Sequence, residues 1–395
     1  MKRIFNNLKS QMLPETDKTR RRSTRRTGAA PRLRLMDALR WSPAISLLVA
    51  CVFMLFFSSR PAYALGRNYA VRQVAPNTFV WVPDDVMDQN GDPYFSRAGN
   101  VGFVITSEGV VVVNAANNPF HAGEILYEIR QRTQLPVRLV IDLGPQGDEM
   151  LGNEVFAEQR ATIISTSAAE SEMQVYQRDI ERRLTFDPEL PARMRGIHFT
   201  LPGQTFQNQS VLNLGGTEIR MTSMNCGLPG ETDGDAVVYL PQQKVLFLGD
   251  LYVKGFVPQV GSRDVGRWIS VLGQMGKWDV TTYVPGHGDP GPKSDLANFR
   301  GFLEWLDAGV TAGVQQGKSF SDVEQRLLTS SAFNLLALDL APKTIAAVYN
   351  QIVHARSAHL NAGRPAGPAN QHLVLPGSPS PGSVRGFANP PTSHE

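Results

Sequence analysis

The chain has 395 residues, of which 42% are hydrophobic and 19% are charged, so it is long enough to form one large domain with a buried core. Its formal net charge is +3, but residues 1–64 hold 13 basic and 3 acidic residues, and the remainder holds 26 and 33, a net charge of −7. The basic excess therefore belongs to the N-terminal segment, which excludes a nucleic-acid-binding surface as its explanation.

The N-terminal segment has the organisation of an export signal. Residues 1–40 are basic and polar, residues 44–57 form an apolar run, and small residues follow in the pattern of a signal-peptidase site ending at Ala64. We expect cleavage there and a periplasmic or secreted mature protein. An uncleaved membrane anchor is the alternative, although the apolar run is short against the roughly 20 residues that a span needs. Translation from Met36 would leave a signal of ordinary length.

The first half of the mature chain alternates between strand and helix signals. Strands are predicted at 78–82 and 102–114, the latter folded into a hairpin at residues 107–109. A helix is predicted at 120–132, a strand covered on both faces at 137–143, a short helix at 151–159, a strand at 161–166 and a helix at 168–184.

The second half begins with hairpins and ends with helices. Strands are predicted at 211–214, 218–223, 236–240, 244–248 and 282–284, and helices at 265–275, 295–315, 321–328 and 342–353. This order indicates an α/β or α+β sandwich with helices outside the sheets, formed by residues 65–355. Residues 362–395 are rich in Pro, Gly and Ser and are predicted to be a disordered tail.

Acidic and glycine-rich blocks occur at the ends of several predicted strands. They read GPQGDEMLGN at 144–153, GETDGD at 230–235, GD at 249–250 and PGHG at 285–288. In this order, between about residues 70 and 310, the blocks resemble those of the metallo-β-lactamase superfamily. The resemblance implies an αββα four-layer sandwich, a metal centre at the edge of the two sheets, and hydrolysis of a small-molecule substrate that the sequence does not specify.

The resemblance also implies an altered metal centre. Gly144, Gln146 and Glu231 stand where the family has three histidines that bind a first metal. Glycine offers no ligand and a glutamine amide is a weak one, so this position is not expected to hold zinc. Asn114 stands where many relatives carry an aspartate that orients a ligand.

The second metal position keeps more of its ligands. Asp148, Asp250 and His287 are retained, and Glu149 replaces a histidine with another possible ligand. If the family geometry holds, we expect these residues and Glu231 to bind one divalent ion, either Zn, Mn or Fe. Water bound there would be the nucleophile, with Asp148 and Glu231 as catalytic groups and Glu231 as a further ligand or general base.

Each of these residues also has a structural interpretation. Asp148 and Glu149 precede a helix, whose N-terminus acids stabilise, and Asp250 and His287 can shape loops. Cys226 is either a soft ligand or a small buried residue, and the histidines outside the blocks, His121 and His198, are read as packing or surface residues. The chain is accordingly either an exported metal-dependent hydrolase or a catalytically inactive relative acting as a periplasmic binding or accessory protein.

Overall fold

The computed structural model describes residues 69–84, 98–188, 190, 194, 196–227, 234–333, 335 and 338–362. All of them belong to one of two compact units, Gly66–Glu395. The predicted signal segment, the predicted tail beyond Ala362 and the candidate ligand Glu231 lie outside the described residues. Within the described part, no helix has the length and apolar character needed to cross a membrane.

The first sheet has seven strands in sequence order. They are β1 (Tyr69–Ala75), β2 (Thr78–Pro83), β3 (Val101–Ile105), β4 (Val110–Val113), β5 (Val137–Ile141), β6 (Thr162–Thr166) and β7 (Gln204–Phe206). Strands β1 to β4 pair antiparallel, and β4 to β7 pair parallel. The valine run of β4 is buried along its whole length, as expected for a strand with a layer on each face.

The second sheet has five strands and faces the first. They are β8 (Gln209–Leu214), β9 (Thr217–Ser223), β10 (Ala236–Leu240), β11 (Val245–Phe247) and β12 (Thr282–Val284), in the order β12-β11-β10-β9-β8. Only β11 and β12 pair parallel. Val111 and Val113 of the first sheet pack with Val238 and Phe247 of the second in one apolar cluster between the sheets.

Helices cover the outer faces. They are α1 (Pro119–Arg130), α2 (Gly147–Met150), α3 (Asn153–Glu158), α4 (Ser167–Arg183), α5 (Val265–Met275), α6 (Lys293–Gln315), α7 (Phe320–Leu328) and α8 (Ala341–Ala362). Ile125 of α1 and Phe156 of α3 pack with the alternate residues Val110 and Val112 of β4. On the other side, α5 and α6 pack against the second sheet. The layers are therefore α, β, β, α, which confirms the predicted fold class.

The sequence-based elements agree with the structure at many boundaries. The hairpin between β3 and β4, helix α5 and strand β12 lie at the predicted positions. Strands β1 and β7 were not predicted, because β1 is half exposed without a clear alternation and β7 has only three residues. The helix predicted at 151–159 corresponds to α3, which begins two residues later, and the short α2 before it was not predicted. Between the two helices lies Gly152, where a side chain would collide with the Ala115 carbonyl.

Candidate metal centre

Three predicted ligands meet where strands of the two sheets end. Asp148 lies in α2, shortly after β5; Asp250 lies in a 3₁₀ turn after β11, Gly249–Leu251; His287 follows β12. Their ligand atoms all lie within 4.8 Å of one another. His287 Nε2 is 3.0 Å from Asp148 Oδ2 and 3.5 Å from Asp250 Oδ1. The side chain of His287 is 15% exposed, that of Asp148 21% and that of Asp250 13%, so the group is largely shielded but still reached by solvent.

Asn100 fixes the loop that carries His287. Its side-chain amide donates to the carbonyls of Pro285 at 2.9 Å and Gly288 at 2.7 Å, and its backbone N–H donates to that of Gly286 at 2.7 Å. The Phe256 ring packs 5.5 Å from the imidazole, centroid to centroid. The loop is therefore held by hydrogen bonds on one side and by an aromatic ring on the other. Asn100 is 185 residues from Pro285 and lies in none of the sequence blocks, so no pattern in the sequence identifies it.

Gly286 permits the close approach of this loop to Asp250. A side chain at Gly286 would collide with Asp250 Oδ1. The Gly286 N–H donates to the carbonyls of Gly249 and Tyr252, each at 2.8 Å, which fastens the histidine loop to the turn that carries Asp250. The first glycine of the PGHG block thus has a steric reason in this structure.

Glu149 is buried beside the three predicted ligands, but one of its carboxylate oxygens is hydrogen-bonded to another side chain. Its Oε1 accepts a hydrogen bond from Asn114 Nδ2 at 3.1 Å, and its Oε2 has no hydrogen-bond partner among the described residues. Asn114 has a φ of 65° and also accepts from the Leu143 N–H at 2.9 Å. Asn114 thus orients Glu149.

Glu149 and Gln146 fill the space beside Gly144. A Cβ at Gly144 would collide with Glu149 Oε2 and with Gln146 Oε1. The Gln146 oxygen is also buried without a hydrogen-bond partner among the described residues. The absence of a side chain at residue 144 therefore leaves the space that the Glu149 and Gln146 side chains occupy.

A buried ion pair lies next to these carboxylates. Arg263 Nε donates to Asp235 Oδ2 at 2.6 Å, and both side chains are buried. The guanidinium lies 5.3 Å from the centroid of the Trp268 ring, and its NH1 donates to the Gln259 carbonyl at 2.9 Å. Asp235 is the last residue of the GETDGD block, whereas Arg263 lies in none of the blocks.

Burial and mutual repulsion raise the pKa values of the central carboxyls. Burial is the main cause of the raised pKa of Glu149, and the charges of Asp250, Asp148 and Asp235 add to it. Burial also raises the pKa of Asp250; His287 and Arg263 oppose this rise and Asp148 adds to it. A bound cation would stabilise the charged forms of these groups.

The comparisons with known proteins concern the fold. No protein-family model matches the sequence, and no curated protein matches it. Among solved structures, a double mutant of the sec-alkyl sulfatase PisA1 is 15% identical to this chain, with a TM-score of 0.53. The match covers 74% of this chain and 52% of the PisA1 chain. The chain has the metallo-β-lactamase fold.

Two further solved structures with that fold are similar over a shorter part of this chain. A metallo-β-lactamase from Pontibacter korlensis is 19% identical to this chain, with a TM-score of 0.46, and the match covers 60% of this chain and 99% of the Pontibacter chain. The DIM-1 metallo-β-lactamase is 16% identical to this chain, with a TM-score of 0.45, and the match covers 60% of this chain and 97% of the DIM-1 chain.

In this metallo-β-lactamase fold, the three converging residues fit one divalent metal ion. They offer one imidazole nitrogen and two carboxylates, a donor set suited to Mn, Fe or Zn. Asp250 Oδ1 is buried and accepts no hydrogen bond from the described residues, as expected of an oxygen that can coordinate a cation. Of the five predicted ligands, Asp148, Asp250 and His287 are brought together, Glu149 is bonded to Asn114, and Glu231 lies outside the described residues.

The remaining residues from the sequence analysis lie outside this group. Cys226 is fully buried in the apolar cluster beneath α5 and α6. His121 packs against Trp81, and burial lowers its pKa to about 4. His198 is exposed and lies 2.9 Å from Glu154. These positions agree with packing and surface roles.

Proposed function

We propose that the protein is an exported metal-dependent hydrolase with a single metal site formed by Asp148, Asp250 and His287, acting on a small molecule. The observation that carries the proposal is the convergence of their ligand atoms within 4.8 Å, together with a buried Asp250 oxygen that accepts no hydrogen bond from the described residues. A divalent ion held there would lower the pKa of bound water toward neutrality and so supply a nucleophile.

The protein side chains determine the number of sites and their rigidity. Glu149 and Gln146 occupy the space beside Gly144, which supports one metal site rather than two. Asn100 fixes the orientation of the His287 loop, and Asn114 fixes Glu149. This preorganisation keeps the ligands in place when substrate binds.

Glu231 is proposed as the general base or a fourth ligand. Asp235, which follows it by four residues, is held beside the centre by Arg263. The two roles predict different results for Glu231→Gln. If Glu231 is a general base, Glu231→Gln should lose hydrolytic activity with unchanged metal affinity. If Glu231 is a ligand, the same variant should bind the metal roughly tenfold or more weakly.

A catalytically inactive binding or accessory protein is the second candidate. The observation that favours it is the buried Arg263–Asp235 pair, since the guanidinium supplies positive charge near Glu149 and Asp250 without a metal ion. Such a protein would keep its fold and its partner binding when Asp250 or His287 is replaced.

Substrate hydrolysis by matched variants separates the two candidates. The purified protein would be supplied with Zn, Mn or Fe and assayed on chromogenic β-lactam, thioester, phosphoester and alkyl sulfate substrates. We expect hydrolysis of one class, lost in Asp250→Ala and His287→Ala and kept in His198→Ala, an exposed histidine outside the site. Activity that survives in Asp250→Ala would contradict the hydrolase proposal, and inactivity on every class would favour the binding protein.

Export is a separate proposal that rests on the sequence. The residues preceding Leu65 would be removed, leaving a mature protein in the periplasm or outside the cell. The mass of the protein recovered from the periplasmic fraction tests it. A mass that includes residues 1–64 would contradict cleavage after Ala64.

A further inference from the structure

A cavity of about 440 Å³ lies next to the candidate metal centre and has no part in the proposed chemistry. Its walls are the segment 252–256, one face of α6 and residues 332 and 335. Five aromatic side chains line it: Tyr252, Phe256, Phe299, Phe302 and Trp305. We call it the aromatic cavity. Its volume is within the range of small-molecule sites.

Helix α6 presents a second apolar stripe to this cavity. Its residues Leu303 and Leu306 are fully buried in the main core. Phe302 and Trp305, each one position earlier, are only half buried and line the cavity with their rings 5.7 Å apart. Large aromatic side chains left beside an open space form a surface that an apolar ligand can cover.

The two charged side chains that line the aromatic cavity form an ion pair. Lys254 and Asp295 both line it, and Lys254 Nζ lies 2.8 Å from Asp295 Oδ2. An anionic or cationic ligand would meet an already neutralised pair and would lose hydration against aromatic walls. The lining therefore favours an uncharged ligand with an aromatic or alkyl body.

The cavity and the metal centre share one wall. The segment 252–256 begins two residues after Asp250, and the Lys254 N–H donates to the His287 carbonyl at 2.9 Å. Phe256 lines the cavity and also packs 5.5 Å from the His287 ring. A molecule in the cavity would thus contact the ring that supports a proposed metal ligand.

We propose that the aromatic cavity is a binding site for an uncharged small molecule with an aromatic or alkyl body. Binding needs no metal ion, because none of the three proposed ligands lines the cavity. The inference therefore stands apart from the hydrolase proposal and can fail or hold independently of it.

Gly301 offers a way to fill the aromatic cavity without disturbing the backbone. It lies in α6 and lines the cavity, and a Cβ there would meet no atom within 4 Å. Gly301→Leu should place its side chain in the open space and should improve helix propensity. Gly123 in α1 is the matched control, since a Cβ there also meets no atom within 4 Å and the residue does not line the cavity.

The probe is N-phenyl-1-naphthylamine, an uncharged aromatic amine whose fluorescence rises in apolar surroundings. Titrated into the metal-free protein, it should bind saturably to the wild type and equally to Gly123→Leu, and roughly tenfold or more weakly to Gly301→Leu. The sulfonated relative 8-anilinonaphthalene-1-sulfonate should bind the wild type roughly tenfold more weakly than the uncharged probe. No saturable binding, equal binding by Gly301→Leu, or tighter binding of the sulfonate would overturn the proposal.

A second variant keeps the test valid if Gly301→Leu does not fold. Trp305→Phe retains an aromatic wall but removes an indole that lines the cavity. Energy transfer from tryptophan to the bound uncharged probe should fall clearly in this variant while probe affinity changes little. Unchanged energy transfer would place the probe elsewhere and would overturn the assignment of the site.

Discussion

At the scale of single residues, the centre is explained by pairs of residues that depend on each other. Glu149 lies against Gly144, and Asn114 holds Glu149. From the sequence we could predict that Gly144 and Glu149 depart from the family pattern. The reason, that Glu149 fills the space beside Gly144, requires the position of the Glu149 side chain relative to the Gly144 backbone.

The first prediction concerns this complementarity. Gly144→Ala should lower the free energy of unfolding by about 1–3 kcal/mol, because its methyl group would collide with the Glu149 and Gln146 oxygens. Combining it with Glu149→Ala should recover part of that loss, since the colliding carboxyl is gone. Denaturant unfolding of the four proteins in a double-mutant cycle measures the coupling. Strictly additive effects would show that the two residues are independent.

The second prediction concerns Asn114. Asn114→Gly keeps a residue that tolerates the φ of 65° but removes the hydrogen bonds to Glu149 and Leu143, so stability should fall by about 1–3 kcal/mol. Asn77→Gly is the control, an exposed asparagine with a φ of 57°. Chemical denaturation of both variants measures the difference, which should be much larger for residue 114. Equal losses would assign the effect to the backbone instead.

At the scale of elements, the fold was predictable because most of its strands and helices carry their own local signal. The valine run of β4 and the apolar spacing of α5 define them without tertiary information. Contacts between distant elements carry no such signal. Arg263 reaches Asp235 across 28 residues, and Asn100 reaches Pro285 across 185, so neither partnership could be inferred from spacing.

The third prediction concerns the contact between the end of β5 and the start of α3. Asp142 is fully buried and accepts a hydrogen bond from Asn153 Nδ2 at 2.7 Å. Burial raises the pKa of Asp142 to about 7, although the Asn153 hydrogen bond opposes the rise. Because this pKa is raised above its unfolded value, the contribution of Asp142 to stability is fully present below about pH 4. That contribution is lost as the pH rises toward about 7, by about 1.4 kcal/mol per pH unit at most.

Asp142→Asn isolates this contribution. The neutral amide cannot titrate, so the stability of the variant should depend less on pH between about 4 and about 7 than that of the wild type. Urea unfolding of both metal-free proteins across this range measures the difference. Glu149 and Asp250 also have raised pKa values, but they are common to both proteins and cancel in the comparison. Parallel stability curves would show that Asp142 is charged in the folded protein.

At the scale of the whole molecule, two layers of sheet and two of helix bring the ends of β5, β11 and β12 to one edge. The sequence predicted this arrangement through the order of the motif blocks, and the structure places Asp148, Asp250 and His287 together there. The proposed metal binding, hydrolysis and export are properties of the whole protein rather than of one element. The proposed function depends on one property, which is the binding of a single metal ion.

Metal content, measured by elemental analysis, tests this property most directly. The protein from residue 65 onward would be purified without affinity metals or chelators, alongside Asp250→Ala and the control Asp279→Ala, an exposed acid paired with Lys244. We predict about one equivalent of a divalent metal in the wild type and the control, and close to none in Asp250→Ala. Absence of metal from all three proteins, or an undiminished equivalent in Asp250→Ala, would contradict a metal centre at Asp148, Asp250 and His287.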